Sequence, residues 1–520
     1  MSCLASPWRV RGRAAVNHFR SSVGCLMKRS PLFLLSSLFA VAFVLSSCSG
    51  VPKGNGCTSN CTPLNATVSF TLAAKPLAPP PNTSILAFSM TVTGVSLTPS
   101  SGSDISIPLP ATTFIADLTR LQSDSAFLGQ ALATVPAGSY TKITLAVNAS
   151  RVTYCTQLAP GTPGCTAGTI ATVAGGVVAP TIPISLTLTS SEKTGLRVLV
   201  DMSKALTINA STQVVSAVNV AAANVFSATT LAPVASSLGT SQLDFIEDVT
   251  GVVSSVSGST FKIATATRGT LSVSANSSTF YSPNCSTSSS SCIVSGQLAS
   301  VDLALNKDGT FAVLDYDPLA QISSDWIEGV VSATPVSSTQ FQIVTNDFFP
   351  AATGTIIGGS LNLGDRVTVN LTGGVIFGVD GKGLLVPADA GTFSSSNDTS
   401  VLRPGQTVAV RLTSFTVANG ATPASATVNF VRLRFTRVAG TVSSATSNDI
   451  FIQGLPSYFG TTLTQKVQFT PAAAPQTAPT NFDGATDGTG LTTSDTVSIR
   501  ALYFGPASAT PYSAAKVRKN

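Results

Sequence analysis

The residues of this sequence best suited to chemistry are carboxylates that stand beside aromatic rings. Asp315, Tyr316 and Asp317 are consecutive, and Trp326 follows a short distance along the chain. Sugar-binding and sugar-cleaving clefts combine such residues, because an acid binds or protonates a sugar oxygen while a ring packs on the sugar. We therefore predict Tyr316, Trp326, Asp315 and Asp317 as candidate ligand contacts. The alternative is an aromatic side chain packed between two domains and rimmed by solvated acids, which needs no ligand.

Chemistry that depends on histidine is excluded by the position of the one histidine. His18 lies in an N-terminal segment that we expect to be removed. Without it the chain cannot form Ser-His-Asp or Cys-His catalytic sites or a histidine-ligated zinc site. Pairs of carboxylates, as in glycosidases, are still available, but the chain has no phosphate-binding loop and no dinucleotide fingerprint after a strand. We predict no catalytic residues, no cofactor and a protein that is not an enzyme.

Two Asp-Gly pairs near the C-terminus could offer oxygen ligands to calcium. They are Asp483-Gly484 and Asp487-Gly488. An EF-hand loop alternates acidic ligands and carries Glu at its twelfth position, which is missing here. Asp-Gly is also a common turn sequence. We therefore predict turns at both places and no metal site.

The N-terminus has the features of a bacterial export signal. Met27-Lys28-Arg29 precedes an apolar run over residues 31–45, which is too short to span a membrane as a helix. The run ends in Leu45-Ser46-Ser47-Cys48, which resembles the bacterial lipobox, whose cysteine is lipidated and becomes the first residue of the mature protein. We predict that residues 1–47 form the leader, with Met27 as the true start of translation. We also predict lipidation of Cys48 and a flexible tether over residues 48–63. The alternative is a plain signal peptide with an incidental cysteine.

The net charge of the mature chain differs from that of the full sequence. Six of the 29 basic residues and none of the 23 acidic residues lie in residues 1–47, so 23 of each sign remain. The formal charge of +6 therefore belongs to the leader. No basic face remains to bind nucleic acid, which we do not expect as a partner.

The cysteines beyond Cys48 fall into three local pairs. The pairs are Cys57/Cys61, Cys155/Cys165 and Cys285/Cys292. In an exported chain, closely spaced cysteines in even number are more typical of disulfides than of metal sites. A disulfide that closes a loop of about ten residues stabilises the fold by roughly 2–3 kcal/mol. We predict three disulfides, each pinning a short turn.

Composition and periodicity predict an all-β fold. Only 10% of the residues are charged, Glu is scarce, and strand and turn residues are abundant. Apolar alternation of period two, interrupted by Pro, Gly and Asn, predicts an N-terminal β-sandwich over residues 64–240. The segment Ala116 to Leu132 is the one predicted short helix, since Leu118, Leu121, Phe127 and Leu128 are near helical spacing.

The predicted sandwich contains four distinctive segments: Met90-Thr-Val-Thr-Gly-Val-Ser-Leu97, Ala116-Asp-Leu-Thr-Arg-Leu121, Val135-Pro-Ala-Gly-Ser-Tyr-Thr-Lys-Ile-Thr-Leu145 and Thr194 to Leu206. In these segments it resembles the bacterial domain-of-unknown-function family numbered 4382. The resemblance covers about a third of the chain and implies no catalytic residue. Within its third segment, Tyr140, Ile143 and Leu145 are predicted core residues.

The C-terminal half repeats a short pattern three times. Gly251, Gly329 and Gly440 each precede a [Val/Thr]-Val-Ser strand, and a later strand closes each unit. Glycine within a strand indicates a bulge or a close approach of another backbone. We predict three small β-barrel-like domains on a string, over residues 241–322, 323–437 (with an insertion at 350–400) and 438–520. They resemble the domain-of-unknown-function family numbered 5666, although Ser494-Asp495 replaces the expected Gly in the third unit.

These features predict a non-enzymatic cell-envelope lipoprotein that displays β-domains for adhesion, matrix attachment or envelope assembly. Its expected partners are the membrane, through the N-terminal lipid, and envelope polysaccharide or other envelope proteins. We expect it at the outer membrane or the cell surface. The alternative is a surface lipoprotein that binds, or less readily cleaves, a polysaccharide at Tyr316 and Trp326.

Overall fold

The computed structural model describes residues 65–77, 83–156, 163–166, 169–231, 236–321, 323–351, 353–460, 464–471 and 478–520. These residues all belong to one compact unit. They form the predicted all-β fold, with strands throughout the sandwich and the C-terminal half. Cys48, Cys57 and Cys61 lie outside the described residues. Within the described part, no helix is long and apolar enough to cross a membrane.

The N-terminal part is a sandwich of two sheets. Its elements are β1 (Asn65–Ala74), β2 (Thr83–Pro99), β3 (Ile105–Ile107), β4 (Phe114–Asp117), β5 (Ala126–Pro136), β6 (Gly138–Thr156), β7 (Ile170–Gly175), β8 (Thr181–Leu188), β9 (Lys193–Val200), the short helix α1 (Met202–Ala205), β10 (Leu206–Ile208), β11 (Val215–Val218) and β12 (Phe226–Thr230). One sheet has the order β12-β9-β1-β5, and the other has the order β3-β2-β6-β7, with β4 on β2 and β8 on β6. A single apolar core, which includes Tyr140, Ile143 and Leu145, fills the space between them. We call this unit the sandwich.

The predicted helix between Ala116 and Leu132 is wrong. The segment instead contains β4, a single 3-10 turn at Arg120–Gln122, and β5. Phe127 and Leu128 are both buried, but Leu128 belongs to the sandwich core and Phe127 to a second core, formed mainly by residues 243–316. Both faces of β5 are therefore covered by apolar neighbours. For this reason the strand does not alternate between apolar and polar residues, and its apolar spacing is close to that of a helix.

The rest of the chain forms three units of closely similar topology. Barrel 1 contains β13 (Gln242–Ser257), β14 (Thr260–Ala264), β15 (Thr270–Ser274), β16 (Phe280–Tyr281), β17 (Gln297–Asn306) and β18 (Phe311–Gln321). Barrel 2 contains β19 (Trp326–Val331), β20 (Gln340–Phe349), β21 (Arg366–Val379), the helix α2 (Asp389–Ser394), β22 (Thr407–Thr416) and β23 (Ala424–Arg434). Barrel 3 contains β24 (Thr436–Ala445), β25 (Asp449–Gln453), β26 (Gln465–Phe469), β27 (Asn481–Asp483), β28 (Thr496–Tyr503) and β29 (Tyr512–Lys519).

Each of these units closes a ring of five strands in the same way. Barrel 2 is closed in the order β19-β20-β21-β23-β22. The sheets β15-β14-β13-β17-β18 and β26-β25-β24-β28-β29 have equivalent orders and close through an additional pairing of their outer strands. The closing contact is parallel in all three units, and in barrel 1 it is the single pair Ser274 and Ala312.

The three repeated glycines are places where two backbones approach closely. A Cβ atom on Gly251, Gly329 or Gly440 would lie 2.3, 2.6 or 2.9 Å from a carbonyl oxygen of the next strand. No side chain fits at such distances without movement of the backbone, which confirms the predicted close approach. The position Ser494 is also explained: its φ of 77° matches the 82° and 90° of Gly296 and Gly405, so the third unit keeps the left-handed turn without the glycine.

Two of the three predicted disulfides fall within the described residues, and both are present. Cys155 and Cys165 are joined with Cα atoms 5.8 Å apart, and Cys285 and Cys292 with Cα atoms 5.6 Å apart. These Cα separations are ordinary for disulfides. Each bridge joins cysteines close in sequence, ten and seven residues apart, as predicted.

The expectation of separate domains on a string is wrong. The core of barrel 3 includes Cys155 and Cys165 of the sandwich and Val330 of barrel 2. The core of barrel 2 includes Leu502 of barrel 3, and that of barrel 1 includes Phe127 of the sandwich. Domains on a string would share little core, whereas these four units share apolar contacts throughout.

Candidate functional site

The feature that joins the four units is a set of buried charges on the outer faces of the barrels. The strand registers give each barrel three matching positions. The first lies three residues before the repeated glycine, the second lies beside the first on the adjacent strand, and the third lies beside the second on the strand after that. In barrel 1 these positions hold acids, in barrel 3 bases, and in barrel 2 two aromatic rings and an arginine. In the order of the barrels they are Asp248, Asp302 and Asp315; Trp326, Arg411 and Phe430; and Arg437, Arg500 and Lys516.

The acidic row of barrel 1 packs against the basic row of barrel 3. Arg500 donates from both Nη atoms to the carboxylate of Asp302, at 2.8 and 2.5 Å. Arg437 donates from Nη2 to Asp248 at 2.5 Å. All four side chains are almost fully buried. Equivalent positions of two repeats therefore carry opposite charges that meet in the interior of the protein.

Asp248 is the centre of this junction. Its carboxylate accepts hydrogen bonds from Arg120 of the sandwich, Arg434 of barrel 2 and Arg437 of barrel 3. It lies at a bulge of β13 with a φ of 53°, where its own N–H donates to Asp302. Burial by itself would raise the pKa of Asp248, but the three guanidinium groups hold it well below its ordinary value. One carboxylate thus binds a residue from every other unit.

Glu328 of barrel 2 completes the same network. It accepts from Arg434 Nε at 2.8 Å and from Arg120 Nη1 at 2.9 Å. Arg434 is fully buried and also forms an ion pair with Asp380, which directly follows β21. The predicted insertion at 350–400 is therefore too wide, because β21 within it is one of the five strands of barrel 2. Asp380-Gly381 has the sequence of a simple turn, and the burial of Asp380 against Arg434 shows that the segment after β21 also carries part of the junction.

A second cluster joins the sandwich, barrel 1 and barrel 3. Arg197 of β9 donates to Asp244 of barrel 1 at 2.6 Å and to Asp483 of barrel 3 at 3.2 Å. Asp483 also accepts from Arg518 Nε at 2.9 Å. Burial alone would raise the pKa of Asp483, but Arg197 and Arg518 lower it. Asp483 is thus occupied by arginines, while Asp487 accepts a backbone hydrogen bond from Thr489 at a turn.

Asp302 and Asp315 are neighbours whose pKa values shift in opposite directions. They are paired across β17 and β18 and share a hydrogen bond. Lys382 Nζ lies 3.5 Å from Asp302 Oδ1 and 3.3 Å from Asp315 Oδ1. Burial would raise the pKa of Asp302, but Arg500 and Lys382 bring it well below its ordinary value. Burial, and then the negative charge of Asp302, raise the pKa of Asp315 well above its ordinary value. The protein therefore favours one charge in this pair, as like-charged carboxyls at short distance require.

The chemistry that this junction supports is docking. Charges removed from water cost free energy that only a well-matched set of partners returns, so a wrongly docked barrel would leave several charges buried and unpaired. The described part of the chain contains no group of three or more His, Cys, Asp or Glu side chains placed to hold a metal ion. The geometry thus specifies how the four units fit together.

The four predicted ligand contacts are buried. Tyr316 is 0% exposed in the core of barrel 1 and donates to Gln297 Oε1. Trp326 is 3% exposed and packs, with Phe349, against Leu298 and Leu319 of barrel 1. The two rings therefore belong to different apolar clusters and do not share a cleft. For Trp326 the structure agrees with the alternative of an aromatic side chain between domains.

The two acids predicted beside these rings have protein partners. Asp315 lies against Lys382, and Asp317 is 0% exposed and accepts from Ser282 and from Asn284 at 2.8 Å. Neither carboxylate opens to solvent as a sugar contact would need. The expected sugar cleft at these residues is therefore not supported.

The junction was not predicted, because isolated charges on the outward face of a strand are usually solvated. Its signal was nevertheless in the repeats. Once the glycines are aligned, the residue three positions earlier is Asp248 in the first repeat and Arg437 in the third. The later strands of the same two repeats also carry acids in the first repeat and bases in the third. Opposite charges at equivalent positions indicate repeats that pair with each other.

Comparison with known proteins bears on the sandwich. A search of curated proteins gave no match. Residues 65–228 match the model of the family described as Domain of unknown function (DUF4382), which confirms the resemblance predicted for the N-terminal domain.

Proposed function

We propose that this protein is a non-enzymatic lipoprotein, anchored through Cys48, that presents its four β units as one rigid body at the cell envelope. Adhesion, matrix attachment or envelope assembly is the role we assign to it. The observation that carries the proposal is the buried junction, in which Asp248 binds arginines from three other units. A presenting protein has to hold its binding surfaces in fixed relation, and a shared ionic interior achieves this.

Two further observations support an exported location. The disulfides Cys155–Cys165 and Cys285–Cys292 are of a kind that persists in oxidising compartments. The sequence Leu45-Ser46-Ser47-Cys48 follows a basic and apolar leader. We propose that the protein is located at the outer membrane or the cell surface, with the membrane as its first partner. The resemblance of the barrels to family 5666 stays a prediction.

The anchor is tested by the change Cys48→Ser. A cysteine that carries the lipid cannot be replaced by serine, so the variant is expected in the soluble fraction while the wild type sediments with membranes. Ser49→Ala is the matched control and should remain with membranes. Mass spectrometry of the wild-type N-terminal peptide should show a lipid on Cys48. A wild type without lipid mass, or a variant that stays in the membrane, would contradict the anchor.

Presentation at the surface is tested by proteolysis of intact cells. If the β units face outward, added protease should remove the protein from intact cells while a periplasmic marker stays whole. A deletion strain should then lose attachment to matrix, and the full-length gene should restore it. Protection from protease, together with unchanged attachment, would refute the proposed role at the surface.

A further inference from the structure

In barrel 2, the row of residues equivalent to the charged rows of barrels 1 and 3 is not fully buried. Trp326, Arg411 and Phe430 are directly paired across β19, β22 and β23. Arg432 follows Phe430 on the same face of β23, opposite Ala409. In barrels 1 and 3 the equivalent rows bury each other. In barrel 2 the end of the row at Arg411 and Phe430 stays half-exposed, with only Trp326 buried.

Phe430 holds two guanidinium groups in place. The Cζ atoms of Arg411 and Arg432 lie 5.5 and 5.4 Å from the centre of its ring. The ring of Trp326 is 5.7 Å away, and Arg411 Nε donates to Asn429 Oδ1 at 2.8 Å. Stacking on a ring orders an arginine while leaving its donor groups able to bind an acceptor in the ring plane.

Arg411 Nε donates to Asn429, but three other donors of this group lack acceptors. Arg432 Nε and Nη1 and Trp326 Nε1 are buried and have no hydrogen-bond partner. Arg434, on the same strand, has Glu328, Asp248 and Asp380 as partners. Throughout the described residues, no carboxylate forms an ion pair with Arg411 or Arg432. Asp317 acts on Arg432 only through its charge. Buried donors without acceptors are rare in native structures, and each one requires an explanation.

We propose that Arg411 and Arg432 form a binding site for the carboxylate or sulfate group of an acidic polysaccharide. A guanidinium presents a planar fork that matches an oxyanion. Next to Phe430, across β21 and β23, Ile376 is 56% exposed and offers an apolar surface for a sugar ring. The acidic polysaccharide rests on the proposed function, because an envelope protein meets such polymers at the cell boundary. This site lies beside the buried ring of Trp326, but its proposed contacts are Arg411 and Arg432.

The test measures binding of the purified protein to three polymers by calorimetric titration. Polygalacturonate carries carboxylates, dextran sulfate carries sulfates, and dextran is neutral. One acidic polymer or both should bind, more weakly at high salt because screening reduces charge attraction, and the preferred polymer identifies the source of the oxyanion. Arg432→Gln should weaken binding at least about tenfold, since hydrogen bonds to charged groups contribute about 1.5–3 kcal/mol.

Arg366→Gln provides the matched control. Arg366 is also a half-buried arginine of barrel 2, at the start of β21, and no carboxylate of the described residues forms an ion pair with it. The Arg366→Gln substitution should change binding of the acidic polymer less than twofold. Both variants should keep the circular dichroism spectrum of the wild type. Equal binding to dextran, equal loss in both variants or no binding of acidic polymers would overturn the site. These results do not depend on Cys48, so failure here is distinct from failure of the anchor.

Discussion

Replacing Asp302 with Asn removes one charge from the junction with little change in side-chain shape. Asp302 is 1% exposed and accepts two hydrogen bonds from Arg500, at 2.8 and 2.5 Å. Asp124 is more distant, with its Oδ1 atom 4.0 Å from Arg500 Nε. Breaking a buried ion pair by removing one partner costs about 3–5 kcal/mol. We expect Asp302→Asn to lower the free energy of unfolding at pH 7 by this amount.

Asp315→Asn is a matched control only one strand away. Asp315 is the direct neighbour of Asp302, but its pKa is raised by burial and by the charge of Asp302. The neutral form is already favoured at this position, and Lys382 keeps Asp302 as a partner in the variant. We expect a change in the free energy of unfolding of less than about 1 kcal/mol, or a stabilisation, because a repulsion between like charges is removed.

The two variants should also differ in their dependence on pH. The folded-state pKa of Asp302 is depressed, so its stabilisation is present above its unfolded value of about 4 and is lost as the pH falls through the folded value. The folded-state pKa of Asp315 is raised, so its contribution is present below about 4 and is lost as the pH rises through the folded value. Asp315→Asn should therefore gain relative to wild type as the pH increases.

The assay is urea denaturation followed by tryptophan fluorescence, from pH 5 to pH 8. Failure of Asp302→Asn to fold would agree with the expected loss, provided that Asp315→Asn folds. Equal losses in the two variants, or a larger loss for Asp315→Asn, would refute the assignment of the charge to Asp302.

Three further predictions concern the covalent and backbone features. Peptide mapping without reduction should find the disulfides 57–61, 155–165 and 285–292, and free thiols at Cys155 and Cys165 would contradict this pattern. Gly329→Val should destabilise the protein by a few kcal/mol in denaturant, because its Cβ would meet the Val344 carbonyl oxygen, whereas Gly373→Val, where a Cβ meets open space, should have little effect; similar losses would refute the close-approach argument. Ser494→Gly should raise the melting temperature, because a non-glycine residue at a φ of 77° costs about 1 kcal/mol; a lower melting temperature would contradict the strain.

The β framework followed from the sequence because its determinants are local. Period-two alternation placed the core strands of the sandwich, and Gly251, Gly329 and Gly440 marked the first strand of each barrel. Two cysteines that flank a short loop reach each other more readily than either reaches a distant cysteine. The exception was Phe127 in β5, where two covered faces removed the alternation that identifies a strand.

The junction did not follow, because its determinants are distant in sequence. Arg120 and Asp248 meet across 128 positions, and Arg437 and Asp124 across 313. Each one alone looks like a solvated surface charge, and nothing local distinguishes Asp302, which carries the charge, from its neighbour Asp315. The same reasoning misplaced Tyr316, since alternation along β18 turns it into the barrel and Asp315 and Asp317 outward. Only the docked arrangement decides which charges are buried.

The central claim is that the sandwich and the three barrels form one body through a shared ionic and apolar interior, and thermal unfolding tests it most directly. Scanning calorimetry of the full chain at neutral pH should show one cooperative transition for the β units. Asp302→Asn should move this transition to lower temperature as a whole, because its partner Arg500 belongs to another barrel. Two or more separate transitions, of which the substitution moves only one, would contradict the account.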